Sequence, residues 1–185
     1  RKHIYNLYGF VRFADEIVDS FHNFDKKDLL KRFEEDLRHA LDSKISLNPI
    51  LNSFQYTVNQ NNIHQELIDA FLKSMNMDLH KQKYNSKEEY QEYIYGSADV
   101  VGLMCLNVFL EGDNDGYKQL KPQAMALGSA FQKVNFLRDL NADFKELDRT
   151  YFPNLDLSDF NEKSKASIIE EIEKDFDLAL EGIFM

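Results

Sequence analysis

Asp15 and Asp19 lie four residues apart in RFADEIVDSF, residues 12–21, and Asn135, Asp139 and Asp143 repeat that spacing in FQKVNFLRDLNADF, residues 131–144. On an α-helix, residues four apart differ by about 40° in direction, so each set forms one stripe of oxygen donors. Tyr8 and Arg12 share the first stripe, and Gln132 shares the second. Neither stripe opposes an apolar face, as ordinary solvated charge would. Leu7, Val11 and Val18 flank the first; Ala124, Leu127, Phe131, Phe136 and Leu140 bracket the second. Carboxylates in apolar surroundings take up protons unless cations stand beside them. Two such stripes facing each other would repel without cations between them. Hard oxygen donors suit Mg²⁺, which commonly binds one or two carboxylates together with substrate phosphate; Mn²⁺ would also fit. Arg12 and Arg138 add forked cations suited to phosphate oxygens. The pattern points to a Mg²⁺–diphosphate site beside an apolar cavity. A single DxxxD usually decorates a wet helix face, whereas two copies with matching Arg, amide and Tyr partners favour the chemical reading.

Helices must carry both stripes. Apolar residues recur at three- and four-residue spacing along nearly the whole chain. The first helix is expected from the start to about Phe21. Asp25 opens the second, over 26–42, with Leu29, Leu30, Phe33, Leu37 and Leu41 on one face. Pro49 stands near the start of a third, over 49–59, and a fourth covers 63–79. Ser86 followed by Glu89 is a capping-box pattern before a long apolar helix, 87–111. EGDNDG, 111–116, reads as a loop, and Pro122 as the first turn of a helix over 119–147. The last helix covers 161–182. One all-α domain is expected over 1–185. It is expected to be incomplete at both ends, because the chain opens on Arg1 and starts and stops inside helical pattern.

The totals narrow the function classes. With 43% hydrophobic and 29% charged residues in 185, a globular fold with its own core is expected. A net charge of −10 argues against nucleic acid as a partner. The single cysteine, Cys105, leaves no internal disulfide and reads as an inert buried thiol. No run reaches the roughly 18 apolar residues of a membrane span. The five histidines show no HxxxH or ExxH pairing, which argues against a zinc or di-iron centre. No GxGxxG or phosphate loop is present. The lack of an Asn-x-Ser/Thr sequon fits a cytoplasmic location. KKDLLKRFEEDL, 26–37, is amphipathic; core packing is its default reading, with membrane-surface contact second.

Taken in order, these segments resemble the squalene and phytoene synthase family. YGFVRFADEIVD, 8–19, resembles its first aspartate-rich motif. FQKVNFLRDLNADFKELDRTYFP, 131–153, resembles the second, including an Arg-x-Tyr-Phe-Pro tail. YIYGSADVVG, 93–102, resembles the family's Tyr-rich segment, and MNMDLHKQKYNSKEEY, 75–90, the stretch before it. The resemblance implies an isoprenoid-synthase fold, with helices around a central prenyl cavity, and head-to-head joining of two prenyl diphosphates. It implies that Asp15, Asp19, Asn135, Asp139 and Asp143 hold Mg²⁺, with Gln132 in support. Tyr8, Arg12 and Arg138 match positions that contact or order diphosphate. Tyr93 matches a Tyr that assists the cationic chemistry, and Arg149 and Tyr151 match a flap after the second motif.

The implied product is phytoene, made from two geranylgeranyl diphosphates through a cyclopropyl diphosphate. The alternatives are squalene or dehydrosqualene from farnesyl diphosphate, with NADPH needed only for squalene. From other classes come a non-catalytic assembly factor of the same fold and a terpene cyclase, the latter disfavoured by the tail at 149–153. A very lipophilic product implies loose membrane association. The chain departs from the family at Asp99, where Gly is common; an acid there either faces solvent or reaches the cavity. Its N-terminal phosphate-binding segment and closing C-terminal helices, part of the family pattern, are expected to lie outside this stretch.

Overall fold

The structure is a computed structural model. It describes residues 1–81, 83–84, 86–147, 151–153 and 160–184, with side chains for all of these except 141–147. The elements are α1 (Lys2–Asp19), α2 (Lys26–Ser43), α3 (Pro49–Gln60), α4 (Gln65–Asp78), α5 (Lys87–Ile94), a π-helical segment (Tyr95–Asp99), α6 (Val100–Leu110), α7 (Asn114–Leu147) and α8 (Glu162–Ile183). No β-strand occurs among the described residues. The all-α expectation holds.

Local chemistry explains most boundaries. Asp25 caps α2 by accepting from the Asp28 amide at 3.0 Å, and Asn48 caps α3 just before Pro49. Ser86 caps α5 through the Glu89 amide, and Asn161 caps α8 through the amides of Lys163 and Ser164. Two expectations change. The seventh helix starts at Asn114 rather than 119, because Asp113 Oδ1 accepts from the amides of Asp115 and Gly116 and so caps it inside the expected loop. Pro122 therefore sits inside the helix and removes one backbone hydrogen bond there. The expected helix 87–111 contains a π turn at 95–99. One extra residue in a turn shifts the apolar phase only once and leaves no periodic trace.

The helical run 87–110 is long and apolar enough by composition to cross a membrane, which the count of consecutive apolar residues did not anticipate. It is half buried within the fold, and Val100, Leu103 and Met104 are fully enclosed, as in the central rod of a packed domain. α6 packs against α1 and α4 on one side and α7 on the other. One core gathers Phe10, Phe33, Phe54 and Phe71, with the Phe10 and Phe54 rings stacked at 3.8 Å. A second core is aromatic: Tyr84, Tyr90, Tyr93, Phe136, Tyr151 and Phe152.

The approach of α7 to the central rod depends on two glycines. A Cβ at Gly102 would stand 2.5 Å from the Ala124 carbonyl oxygen, and one at Gly128 would stand 2.6 Å from that of Ala98. Backbone cannot yield as a side-chain tip can. Gly128→Ala should therefore cost about 1–3 kcal/mol through overpacking. Gly9→Ala, in α1 with nothing within 4 Å of the added carbon, should be neutral or stabilising by up to about 1 kcal/mol. Urea unfolding of both variants checks this, and equal effects would contradict the close-packing account.

Candidate active site

An apolar cavity of about 590 Å³ opens between the central rod, α7 and α8. Val101, Gly102, Cys105, Leu106 and Phe109 of α6 form one wall, and Leu120, Ala124, Leu127, Gly128 and Phe131 of α7 form the other. Ala179, Gly182 and Ile183 of α8 close a side. Two further lining residues matter most. Val11 comes from α1, between Tyr8 and Arg12 of the first stripe's turn, and Gln132 belongs to the second stripe. The helices carrying both stripes thus reach the same cavity. Cys105 is half-buried in its wall, and burial pushes its thiol pKa up. The thiol stays protonated at neutral pH, and it is half-buried where the sequence pattern predicts it enclosed.

On α1, Arg12 Nη1 donates to Asp15 Oδ2 at 2.7 Å, and Nη2 donates to Glu16. Tyr8 is exposed one turn earlier. Desolvation, then repulsion from Asp19, push the Asp15 pKa up to about 6. On α7, Arg138 grips Asp139 with two bonds, Nε to Oδ1 at 2.7 Å and Nη2 to Oδ2 at 2.5 Å. That grip holds the Asp139 pKa below the usual carboxylate range. Asn135 and Gln132 are half-buried on the same helix. The side chain of Asp143 and the whole of Arg149 lie outside the described residues.

The two arginines expected at phosphate are therefore paired with carboxylates expected at metal. Among the described residues, no three Asp, Glu, His or Cys side chains stand close enough to hold one ion. The donor set fits a hard cation that arrives together with phosphate. A dication would relieve the Asp15–Asp19 repulsion, while diphosphate oxygens would take over the guanidinium groups.

Tyr93 and Tyr151 lie in the aromatic core and do not line the cavity. The Tyr93 hydroxyl donates to Asp78 Oδ2 at 2.5 Å, and Tyr84 donates to Oδ1 at 3.3 Å. Burial, then the charge of Asp78, raise the Tyr93 pKa well above that of a free phenol. The Phe136 ring, next in sequence to Asn135, stacks on Tyr151 at 4.0 Å and on Tyr93 at 6.0 Å. Asp78 was not singled out in the sequence. Its signal is position: Phe71, Met75 and Asp78 follow one buried helical face.

Asp99 neither faces solvent nor reaches the apolar cavity. It is 8% exposed, accepts from Ser129 Oγ at 2.7 Å, and borders a separate polar cavity of about 650 Å³. Lys133, also missed in the sequence, borders that cavity and pairs with Asp175 at 2.8 Å and Glu171 at 2.5 Å on α8.

The sequence model of the squalene/phytoene synthase family matches residues 1–179. The 4,4'-diapophytoene synthase of Staphylococcus haemolyticus is 24% identical over 176 residues, which cover 95% of this chain and 59% of the relative. The 15-cis-phytoene synthase of Synechocystis is 30% identical over 87% of this chain and 50% of its own length. The hydroxysqualene synthase of Zymomonas mobilis is 28% identical over 80% of this chain and 48% of its length. The chain thus spans about half the length of the curated relatives it matches. A solved squalene synthase from Alicyclobacillus acidocaldarius superposes with a TM-score of 0.82 at 25% identity, over 97% of this chain and 72% of that one. A ligand-bound dehydrosqualene synthase superposes at 0.80 and 22% identity, which supports the fold alone.

Asp15 supplies a test of the electrostatics. Its folded pKa, about 6, lies above the unfolded value near 3.8, so the native state binds this proton more tightly. Ionised Asp15 therefore costs stability above pH 6, and the cost disappears as pH falls below about 4. Its side chain is 38% exposed, so solvent screening reduces the expected cost to about 1 kcal/mol. Without divalent metal, Asp15→Asn should be more stable than wild type at pH 7.5 and equal to it at pH 4. A less stable variant at pH 7.5, by urea titration, would refute a strained carboxylate.

Proposed function

The chain belongs to the squalene/phytoene synthase family, and on that premise we propose that it carries the active site of a Mg²⁺-dependent head-to-head prenyl transferase. The favoured reaction joins two geranylgeranyl diphosphates into phytoene. One observation carries the reading: Val11 and Gln132, from the two helices that bear the acidic stripes, line one apolar cavity. Relatives named for phytoene support the C20 substrate. Relatives named for diapophytoene and hydroxysqualene keep farnesyl diphosphate as the second reading.

In this proposal Asp15, Asp19, Asn135, Asp139 and Asp143 hold Mg²⁺, with Gln132 in support. When bound, the metal neutralises the leaving diphosphate as its C–O bond ionises. Arg12 and Arg138 exchange their carboxylate partners for diphosphate oxygens, gaining charge-assisted bonds as negative charge develops. Tyr8, exposed on the same stripe, offers a hydroxyl to the diphosphate. The donor's allylic cation is attacked by the double bond of the second chain, and loss of a proton closes the three-membered ring, giving a cyclopropyl product that still bears the second chain's diphosphate. A second ionisation, rearrangement and proton loss give the hydrocarbon.

The wall of Val101, Leu106 and Leu127 excludes water that would quench the cation. The rings of Phe109 and Phe131 in the same wall offer cation–π stabilisation. Tyr93, anchored on Asp78, backs the second stripe through Phe136. Arg149 is assigned to the flap after that stripe, while Tyr151 supports the stripe from the aromatic core by stacking on Phe136. Cytoplasmic placement with loose membrane contact remains part of the proposal, because the product is lipophilic.

Incubation with C15 or C20 prenyl diphosphate, with and without Mg²⁺ and NADPH, tests the reaction. C40 phytoene should form from the C20 substrate without NADPH, and nothing should form in the presence of a chelator. Asp139→Asn should lower turnover by at least about 10²-fold with unchanged far-UV dichroism. Squalene from the C15 substrate with NADPH would overturn the choice of product. Unchanged turnover in Asp139→Asn would remove the proposed metal site.

A further inference from the structure

The wall of the apolar cavity has a second side. Ser97 and Ala98 of the π segment and Gly128 and Gln132 of α7 face the apolar cavity, while Asp99, Ser129 and Lys133, one residue further along each element, border the polar cavity behind it. The two cavities share a partition one helix layer thick. It includes the π segment, a kind of turn that is a rare insertion within α-helices and concentrates at functional sites.

Three contacts hold that segment. Gly96 lies against the Ala70 carbonyl of α4, and Gly128 of α7 lies under the Ala98 carbonyl. Both only permit close approach. The directed link is Asp99, whose carboxylate accepts from Ser129 Oγ at 2.7 Å, next in chain to Gly128. One turn on, Lys133 is 7% exposed and joins α7 to Glu171 and Asp175 of α8. The link thus runs from the π segment through α7 to α8, the three elements that also enclose the apolar cavity together with α6.

Burying this carboxylate is costly, and desolvation pushes the Asp99 pKa up to about 6. A residue without a carboxyl group at this position would avoid that cost. The Tyr90 hydroxyl, on a residue bordering the same polar cavity, has no hydrogen-bond partner among the described residues although the residue is 4% exposed.

We propose that Asp99 is a positioning residue: by holding Ser129 it locks the π segment against α7 and so sets the shape of the cavity that takes the prenyl chain. This rests on the reading of that cavity as a prenyl site. The diphosphate end is assigned to the acidic stripes of α1 and α7, and neither partner of the Asp99–Ser129 bond belongs to a stripe. Loss of the link therefore weakens recognition of the chain and leaves recognition of diphosphate intact.

The test compares Kd for geranylgeranyl thiodiphosphate and for inorganic diphosphate, both with Mg²⁺, in wild type, Asp99→Ala, Ser129→Ala, the double variant and Asp99→Asn. Hydrogen exchange over residues 95–102 is followed in each. Asp99→Ala and Ser129→Ala should each weaken the prenyl ligand by about tenfold, a typical loss for one hydrogen bond with a charged partner. The double variant should be no worse than either single one. Asp99→Asn, which keeps an acceptor for Ser129, should recover most of the loss. Inorganic diphosphate should bind all variants equally, and exchange should quicken at 95–102 in the Ala variants.

Unchanged prenyl affinity, or equal weakening of both ligands, overturns the positioning role. A wild type that binds inorganic diphosphate but no prenyl ligand contradicts the proposed function and the positioning role together. Should wild type bind neither ligand, the proposed function fails, and unaltered exchange in Asp99→Ala would separately remove the lock.

Discussion

A carboxylate set beside an apolar wall must take up a proton or keep a cation close. That constraint organises this molecule. Asp15 shows the first response, a pKa raised by desolvation and by Asp19 one turn away. Asp139 shows the second, gripped by the guanidinium of its neighbour Arg138. Arg12 spans Asp15 and Glu16 in the same way. Each stripe is neutralised in part by a guanidinium, a group whose fork suits phosphate oxygens. Under the proposed function, a metal–diphosphate complex would offer both partners at once.

The apolar wall is assembled largely by α6 and α7, and the faces of α7 do different work. Leu127, Phe131 and Gln132 look into the apolar cavity, Phe136 and Leu140 pack into the aromatic core, and Ser129 and Lys133 meet the polar cluster. Such a helix has no single wet face, in keeping with its sequence. Close approach to the central rod at Gly102 and Gly128 keeps the wall continuous. The aromatic core then fixes the helix next to Asn135, through Phe136 between Tyr93 and Tyr151.

Much of this was legible in the sequence, for physical reasons that differ by element. The helices α2, α3, α4 and α8 follow from apolar spacing and from caps such as Asp25, which signal locally. The stripes on α1 and α7 were legible because a helix fixes the relative direction of its own residues. What one element does to another was not. Asp113 caps α7 from within an apparent loop, and Asp99, left open between solvent and the apolar cavity, turns to a polar cavity instead. Lys133 continues the buried face of Ala126 and Ala130, a place where lysine needs a partner. That partner, Asp175, lies on the matching face of α8, and only packing brings the two together. Asp143 and Arg149 remain expectations of sequence alone.

The most direct measurement is a crystal structure with Mn²⁺ and a prenyl thiodiphosphate, using anomalous scattering to locate the metal. The account predicts Mn²⁺ between the α1 and α7 stripes, coordinated by Asp15 or Asp19 on one side and Asp139 on the other, with the prenyl chain in the 590 Å³ cavity. Metal bound elsewhere, or a chain lying outside that cavity, would contradict it.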